Sequence, residues 1–217
     1  MTYNIIATGS GGNAVLINDA ILIDCGVSWK KLEPYAKQIR LVLLTHEHGD
    51  HFKPSTVRAL HRERPSVRFV CCDWMVKPLV DAGVGKDAID VAEPTPPGNT
   101  SKALSYQNFA IVSPQPTQHN VKNCAWKIYI GKEWLFYATD CSTLDGIEAK
   151  DFDLYMIEAN HTKEEIAERI AAKDAAGVYA YEREAARNHL SREQAIDWLA
   201  QNMGGNSKYV FLHQHQD

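Results

Sequence analysis

The stretch Thr45-His46-Glu47-His48-Gly49-Asp50-His51 contains four potential metal ligands within six residues. It follows the short apolar run Arg40–Thr45, which predicts a strand that is buried on both faces. A tight loop after such a strand can aim alternate side chains inward, so His46 and His48 can share one metal ion. Asp50 and His51 can then reach a second ion. Imidazole and carboxylate groups suit zinc, manganese or iron, so the motif predicts a metal centre at the end of this strand.

The composition narrows the class of protein. With 217 residues, of which 45% are hydrophobic, the chain is expected to form a single domain over residues 1–217. The formal net charge of −4 argues against a broad nucleic-acid-binding surface, although a local basic patch is compatible with it. The sequence has no apolar run of about 20 residues, as a membrane span needs, and no secretory signal at its start. We therefore expect a cytoplasmic protein without membrane contact.

The cysteines indicate neither a disulfide framework nor a zinc ribbon. Their number is odd and no two have CxxC spacing. We expect reduced and mostly buried thiols at Cys25, Cys71, Cys72, Cys124 and Cys141.

The first half of the chain predicts short strands and two helices around the metal motif. Pro54 suits the first turn of a helix, which is expected to run to about Glu63. A second short helix is expected to end near Ala82. The other strands of this half are predicted at Asn4–Ala7, Ala14–Ile17, Ile21–Asp24 and Val67–Cys71.

The second half predicts a further batch of strands followed by helices. Strands are expected at Leu104–Tyr106, Phe109–Val112, Ala125–Ile130, Trp134–Tyr137, Leu154–Glu158 and Tyr209–Leu212, the third and fourth forming a hairpin. Helices are expected from Thr162 to about Arg187, with a break near Gly177, and from Ser191 to Asn202. In the last helix and just beyond its end, the residues predicted to face inward are Ala195, Ile196, Leu199 and Met203. The order favours a mixed α/β (α+β) fold in which two sheets pack together under helices on both outer faces.

The motif His46-x-His48-x-Asp50-His51 resembles the signature of the metallo-β-lactamase superfamily. Ile21–Gly26 resembles an early strand of that family, with Asp24 as its structural aspartate. The resemblance implies a four-layer αββα sandwich and a metallo-β-lactamase-like domain over the whole chain. It also implies two divalent metal ions, with Zn²⁺ expected and Mn²⁺ as the alternative. The implied ligands are His46, His48 and His119 for the first ion, Asp50, His51 and His213 for the second, and Asp140 as the bridge between them.

His215 and Cys141 lie close in sequence to two of these residues, His213 and Asp140. His215 competes with His213 for the role of last ligand, and the sequence leaves both open, with His213 favoured because it follows an apolar strand directly. Cys141 follows Asp140, but neighbouring strand residues point to opposite faces, so Cys141 is not expected to bind metal.

Two later segments resemble the nuclease-like branch of the superfamily, which includes tRNase Z and bacterial exonuclease-like proteins. These segments are Ile157–His161 and Asn188–Ala195. In that branch the histidine corresponding to His189 can protonate the leaving group, and a nearby carboxylate, here Glu158, orients it. Ser191 and Gln194 also form the pattern of a helix capping box, and the two interpretations are compatible. No insertion resembles the arm with which tRNase Z grips tRNA, which argues against tRNA processing.

The resemblance implies a phosphodiesterase that uses a metal-bridging hydroxide on nucleic-acid ends or small cyclic nucleotides. The catalytic set is then Asp50, Asp140, His189 and Glu158. One alternative is a hydrolase of lactones, thioesters or β-lactams, and another is a non-catalytic, metal-stabilised binding protein. Proteins of this branch often pair, so a homodimer is compatible with the resemblance.

Overall fold

The first sheet of the computed structural model is built from the N-terminal half of the chain. The structure describes residues 1–95 and 102–214. Six strands follow one another across this sheet in chain order: β1 (Tyr3–Ala7), β2 (Ala14–Ile17), β3 (Ile21–Ile23), β4 (Leu41–Leu43), β5 (Arg68–Cys71) and β6 (Ile89–Val91). Strands β1 to β3 are antiparallel neighbours, whereas β3 to β6 are parallel. The parallel strands therefore end at one common edge.

The second sheet is also six-stranded and comes from the C-terminal half. Its strands are β7 (Leu104–Tyr106), β8 (Ala110–Thr117), β9 (Asn123–Ile130), β10 (Glu133–Ala138), β11 (Leu154–Glu158) and β12 (Lys208–Leu212), arranged in the order β12-β11-β10-β9-β8-β7. The predicted hairpin is β9–β10, whose turn residues Gly131 and Lys132 both have positive φ, as a type I′ turn requires. Strands β10, β11 and β12 run parallel.

Helices cover the outer face of each sheet. They are α1 (Trp29–Leu32), α2 (Pro54–Glu63), α3 (Val76–Asp81), α4 (Lys163–Ala175), α5 (Glu182–Asn188) and α6 (Arg192–Asn202). One apolar cluster joins the inner faces of both sheets, with Ile21 and Val70 from the first sheet meeting Trp126 and Tyr137 from the second. Two further clusters lie between each sheet and its helices. The predicted αββα order of layers is therefore present.

Most predicted boundaries hold to within two residues, and the differences have physical reasons. The break near Gly177 separates α4 from α5. Strand β8 extends to Thr117, through Pro114 and Pro116. Proline has no amide hydrogen to donate, but β7 pairs only with the first residues of β8, so β7 needs no donor at these two positions. The prediction that Ile196 faces inward is wrong, since its side chain is 48% exposed. Trp198 belongs to the buried face of this helix instead.

The described part of the chain contains no helix that is both long enough and apolar enough to span a bilayer. All five cysteines are buried and unpaired, as expected from their spacing.

Candidate metal centre

The candidate site lies where the carboxyl ends of several strands meet. The His46–His51 loop follows β4 in the first sheet. In the second sheet, His119 follows β8, Asp140 follows β10, and His213 follows β12. Because these strands lead to the same edge of the sandwich, residues far apart in the chain meet there. The structure thus brings together all seven of the predicted metal ligands.

The seven side chains form two groups that share Asp140. The first contains His46, His48, His119 and Asp140, and the second contains Asp50, His51, Asp140 and His213. Within each group, one ligand atom per residue lies within 4.8 Å of every other. The two groups contain the same residues as the two ligand sets that the family resemblance implied. His215 lies outside the described residues, so the structure does not compare it with His213.

Three of the histidine rings are held by contacts of Nδ1, the ring nitrogen that faces away from Asp140. His51 donates from Nδ1 to Asp24 Oδ2 at 2.7 Å, and His119 donates from Nδ1 to the Asn188 carbonyl at 3.1 Å. The Nδ1 of His46 is 2.9 Å from the Thr45 hydroxyl. In each case Nε2 is left facing the carboxylate of Asp140, at 3.2 to 3.9 Å. Such outer hydrogen bonds fix ring orientation in metal sites.

His213 follows the same pattern from the opposite side of the site. Its Nδ1 is 3.2 Å from Glu158 Oε1 and 3.1 Å from the Asn160 side-chain amide. Its Nε2 is buried and has no hydrogen-bond partner within residues 1–95 and 102–214. A buried polar atom without a partner is unusual in a folded protein. A metal ion would supply the missing partner, so the donor set fits a metal site.

The charge of the site also fits divalent cations. Four carboxylates converge here, and three of them, Asp24, Asp140 and Glu158, are almost fully buried. Burying unpaired negative charge is costly, so it is normally offset by cations. Histidines, which carry charge only when protonated, are the ion-pair partners that the structure shows for these carboxylates. Bound divalent ions would neutralise this excess.

The protonation of the histidines reflects the same crowding of charges. Burial and the nearby His51 hold the pKa of His46 well below its ordinary value. Burial also opposes protonation of His51, but the charges of Asp140 and Asp24 outweigh it and raise its pKa. Burial also opposes protonation of His213, but the nearby carboxylates of Asp50 and Glu158 outweigh it and raise its pKa to about 10. Protons here stand in for positive charge that a metal would otherwise provide.

The backbone is strained at three residues that lie one or two positions after strands of the site. Asp24, Asp140 and His213 have φ values of 60°, 53° and 50°, in the left-handed region that is uncommon outside glycine. Asn123 stabilises the bend at Asp140 by donating from its side chain to the carbonyls of Thr139 and Asp140. Such strain persists only where the surroundings enforce it, and it concentrates at functional sites.

Gly26 is required where the strand end that carries Asp24 packs against the metal loop. A Cβ at Gly26 would overlap the carbonyl oxygen of Asp50. We expect Gly26→Ala to lower the free energy of unfolding by about 3 kcal/mol, because overpacking forces the loop to shift. Gly49→Ala is the matched control, since a Cβ there meets no atom within 4 Å, and it should cost less than about 0.5 kcal/mol.

Chemical denaturation of the two alanine variants, with and without added Zn²⁺, measures both effects. Gly26→Ala should also lose most of the stabilisation that Zn²⁺ gives. Equal stability of the two variants would contradict the close packing of Gly26 against Asp50.

A third group adjoins the two ligand sets and contains the predicted proton donor. His189 caps the C-terminal end of α5, and its Nδ1 donates to Glu158 Oε1 at 2.5 Å. Glu158, the last residue of β11, also accepts from the backbone amides of Cys141 and Leu190. Asp140, Glu158, His189 and His213 form a further cluster of ligand atoms within 4.8 Å. The predicted capping box of Ser191 and Gln194 is present and starts α6 directly after this group.

The hydrogen bonds to Glu158 set the protonation of the pair. Burial alone would raise the pKa of Glu158, but the hydrogen bonds from His189 and His213 lower it. Burial works against a charged His189, but Glu158 outweighs it and raises the pKa of His189 above its ordinary value. His189 therefore keeps its proton to higher pH than a free imidazole.

Three asparagines support the site, and sequence reasoning assigned them no role. Asn13 Nδ2 lies 3.2 Å from the Asp50 carbonyl and 2.8 Å from His51 Nε2. Asn123 donates a hydrogen bond to the Asp140 carbonyl at the bend. The side-chain amide of Asn160 contacts the ring of His213. All three are at least nine-tenths buried. The available signal was a polar residue next to an apolar strand, which is too common to identify them.

Cys141 is buried and lies outside the three ligand groups.

Comparisons with known proteins agree with this geometry. A family model described as the beta-lactamase superfamily domain matches residues 19–213. Human tRNase Z, short form, superposes with a TM-score of 0.72 at 15% identity, covering 100% of this chain and 93% of that chain. YhfI, a metallo-beta-lactamase fold protein from Bacillus subtilis, gives 0.71 at 18% identity, covering 99% and 86%. Zn²⁺-bound PqqB from Methylobacterium extorquens gives 0.64 at 12% identity, covering 99% and 89%.

At these identities the solved structures establish the fold alone. No curated protein matches the sequence. The family model and the histidine-aspartate groups together support a metal-dependent hydrolase. With the match extending over most of its length, this chain belongs to the beta-lactamase superfamily domain family and has the metallo-β-lactamase fold.

Proposed function

We propose that this protein is a metal-dependent phosphodiesterase that acts on nucleic-acid ends or small cyclic nucleotides. The observation that carries the proposal is the His189–Glu158 pair beside the two ligand groups. A carbonyl hydrolase needs no imidazolium at this place, whereas a phosphodiester has a poor leaving group that benefits from a proton.

Two divalent ions, with Zn²⁺ favoured by the imidazole-rich donor set, would be held by the seven ligands. Imidazole Nε2 atoms of His46 and His119 and Nδ1 of His48 would bind one ion. His51, His213 and Asp50 would bind the other, with Asp140 contacting both. When bound, such ions lower the pKa of a coordinated water and neutralise charge on phosphate oxygens.

The chain's own residues then position the substrate and handle the leaving group. His189, protonated because of Glu158, would donate to the departing oxygen. Glu158 is a positioning residue, since it is fully buried and acts through the orientation and charge of His189. Asp24 fixes the orientation of His51 by accepting a hydrogen bond from its Nδ1–H, and it also accepts a hydrogen bond from the backbone amide of Thr45.

The groove over the site has the size of a nucleotide-binding site. Its volume is about 850 Å³, within the range of about 300–1,000 Å³ that is usual for small-molecule sites. The glycine loop Gly9–Gly12, Lys31 and Asn188 line it together with His189 and His213. The likeness to a protein named tRNase Z adds support for a nucleic-acid substrate.

Hydrolysis of bis(p-nitrophenyl) phosphate by the Zn²⁺-loaded protein tests the proposal, with p-nitrophenyl acetate as the carbonyl substrate. We expect turnover of the diester that is lost on treatment with a chelator and restored by Zn²⁺ or Mn²⁺. A screen of short DNA, RNA and cyclic nucleotides then defines the substrate.

Cleavage of the ester alone would instead support the lactone, thioester or β-lactam type of hydrolase. Metal binding without turnover of either substrate would support a binding protein. The single domain over residues 1–217, the cytoplasmic location and the homodimer stay predictions.

A further inference from the structure

One face of helix α5 lines the groove over the candidate metal centre. The residues of this helix and of its two ends that line the groove are Tyr181, Glu184, Ala185, Asn188 and His189. Spacings of three and four residues place them on one face of the helix, so this wall follows the helix axis. Tyr181 precedes the helix and His189 follows it, roughly 12 Å apart at the rise of an α-helix. A ligand whose leaving group meets His189 can therefore extend along α5 to Tyr181.

Tyr181 provides an aromatic surface at the far end of this wall. The residue is 51% exposed, although its side chain is large and mainly apolar. Lys173 Nζ lies 3.8 Å from the ring centroid, and Lys173 does not line the groove. With one ring face covered and half of the residue still exposed, the exposed surface includes the other face of the ring. Such a face is suited to stacking on a planar group.

The charged side chains of the groove attract a phosphate strand only weakly. Lys31 is the single lysine or arginine among the described residues that line the groove, and Glu184 on α5 carries the opposite charge. Proteins that bind single strands usually combine several basic side chains with aromatic side chains on which bases stack. Because the net charge of the chain is also −4, stacking has to supply much of the affinity for a strand beyond the metal centre.

The groove also has room for a strand. The loop Gly9–Gly12 between β1 and β2 forms another part of its lining, and a Cβ at Gly11 would meet no atom within 4 Å. The volume of about 850 Å³ lies near the upper end of the usual range of about 300–1,000 Å³. The groove can therefore hold more than the reacting phosphate and its own nucleoside.

We propose that Tyr181 stacks on a base on the leaving side of the substrate, which is the side of the scissile phosphate that receives the proton of His189. The inference rests on the proposed phosphodiesterase function and narrows its substrate to a nucleic-acid strand. A cyclic nucleotide has a single base, which lies close to the reacting phosphate, whereas Tyr181 is roughly 12 Å along the helix from His189. Tyr181 does not touch the reacting atoms, so its effect is on which substrate binds.

Cleavage of hexathymidylate by the Zn²⁺-loaded protein tests the inference, beside the p-nitrophenyl phosphate esters of thymidine. Only the first substrate has bases on its leaving side. Tyr181→Ala should lower kcat/KM for hexathymidylate by about 5–100-fold, as expected for the loss of one stacked base, and leave the rates on the esters unchanged. Tyr181→Phe retains the ring and should retain the rate. Tyr179→Ala is the matched control, because Tyr179 is 74% exposed and does not line the groove.

A binding measurement reads the same contact without turnover. Fluorescence anisotropy of labelled hexathymidylate with Zn²⁺-loaded His189→Gln protein should show a Kd that rises about 5–100-fold when Tyr181→Ala is added. An equal Kd in variants with equal melting temperatures overturns the inference, as does faster cleavage of cyclic nucleotides than of hexathymidylate. If bis(p-nitrophenyl) phosphate is hydrolysed in either case, the proposed function stands and only the strand contact is wrong. Strand binding that depends on Tyr181, without hydrolysis of any diester, supports the contact and contradicts the proposed function.

Discussion

Asp140→Asn is expected to lower phosphodiester hydrolysis by at least about 10³-fold and to reduce the number of bound metal ions from two to one or none. Asp140 is the only residue common to all three ligand groups of the described chain. Its Oδ1 lies 3.2 Å from His51 Nε2, and its Oδ2 lies 3.8 Å from His119 Nε2. Asparagine has one oxygen and no charge, so it cannot contact two ions as a carboxylate does.

The substitution keeps the size of the side chain and most of its local contacts. Thr139 Oγ1 donates to Asp140 Oδ1 at 2.7 Å, and an amide oxygen can accept the same bond. Loss of activity can therefore be separated from loss of folding by thermal melting of the metal-free protein. The metal content is measured by elemental analysis after dialysis.

Asp145→Asn is the matched control for this change. Asp145 is exposed, lies five residues further along the chain and belongs to none of the ligand groups. It should keep both bound ions and full activity. If Asp140→Asn also keeps two ions, Asp140 is not the bridge between them.

The candidate metal ligands were predictable because they belong to local patterns beside strands. The His46–His51 motif follows an apolar run, and both the run and the loop have the predicted positions. His119, Asp140 and His213 follow later strands of the second sheet, and the family resemblance identified them one by one. Because parallel strands bring their carboxyl ends together, the predicted strand ends meet at one edge in the strand order that the structure shows.

The supporting residues were not predictable, because their roles depend on contacts between distant segments. Asn13 is 37 residues from Asp50, and Asn160 is 53 residues from His213. A single buried asparagine has no periodicity that marks it.

Helix α6 shows a limit of a different kind. An apolar residue at 196 suggested burial, but the buried face is formed by Ala195, Trp198, Leu199 and Asn202, at spacings of three and four. Position 196 lies about 100° around the helix from 195, so Ile196 falls at the margin of that face. The pattern predicted the helix correctly but not its rotation against the sheet.

The second large effect is expected from His189, and its size should depend on the leaving group. His189→Gln should lower cleavage of a dinucleotide, whose leaving group is an alkoxide, by about 10²–10⁴-fold. The loss with bis(p-nitrophenyl) phosphate should be much smaller, because p-nitrophenolate departs readily without a proton. A purely structural role would reduce both rates by the same factor. Steady-state rates on the two substrates with the same enzyme preparation, checked for metal content, distinguish the two cases.

Glu158→Gln separates positioning from proton donation within the same pair. A proton donor works below its pKa and fails as the pH rises through it. Glu158 raises the pKa of His189 against the effect of burial, so its removal should move the alkaline limb of the rate profile to lower pH. Because Glu158 Oε1 also lies 3.2 Å from His213 Nδ1, metal content must be measured in this variant too. With two ions retained, a lower rate and an unshifted alkaline limb would mean that His189 does not supply the proton.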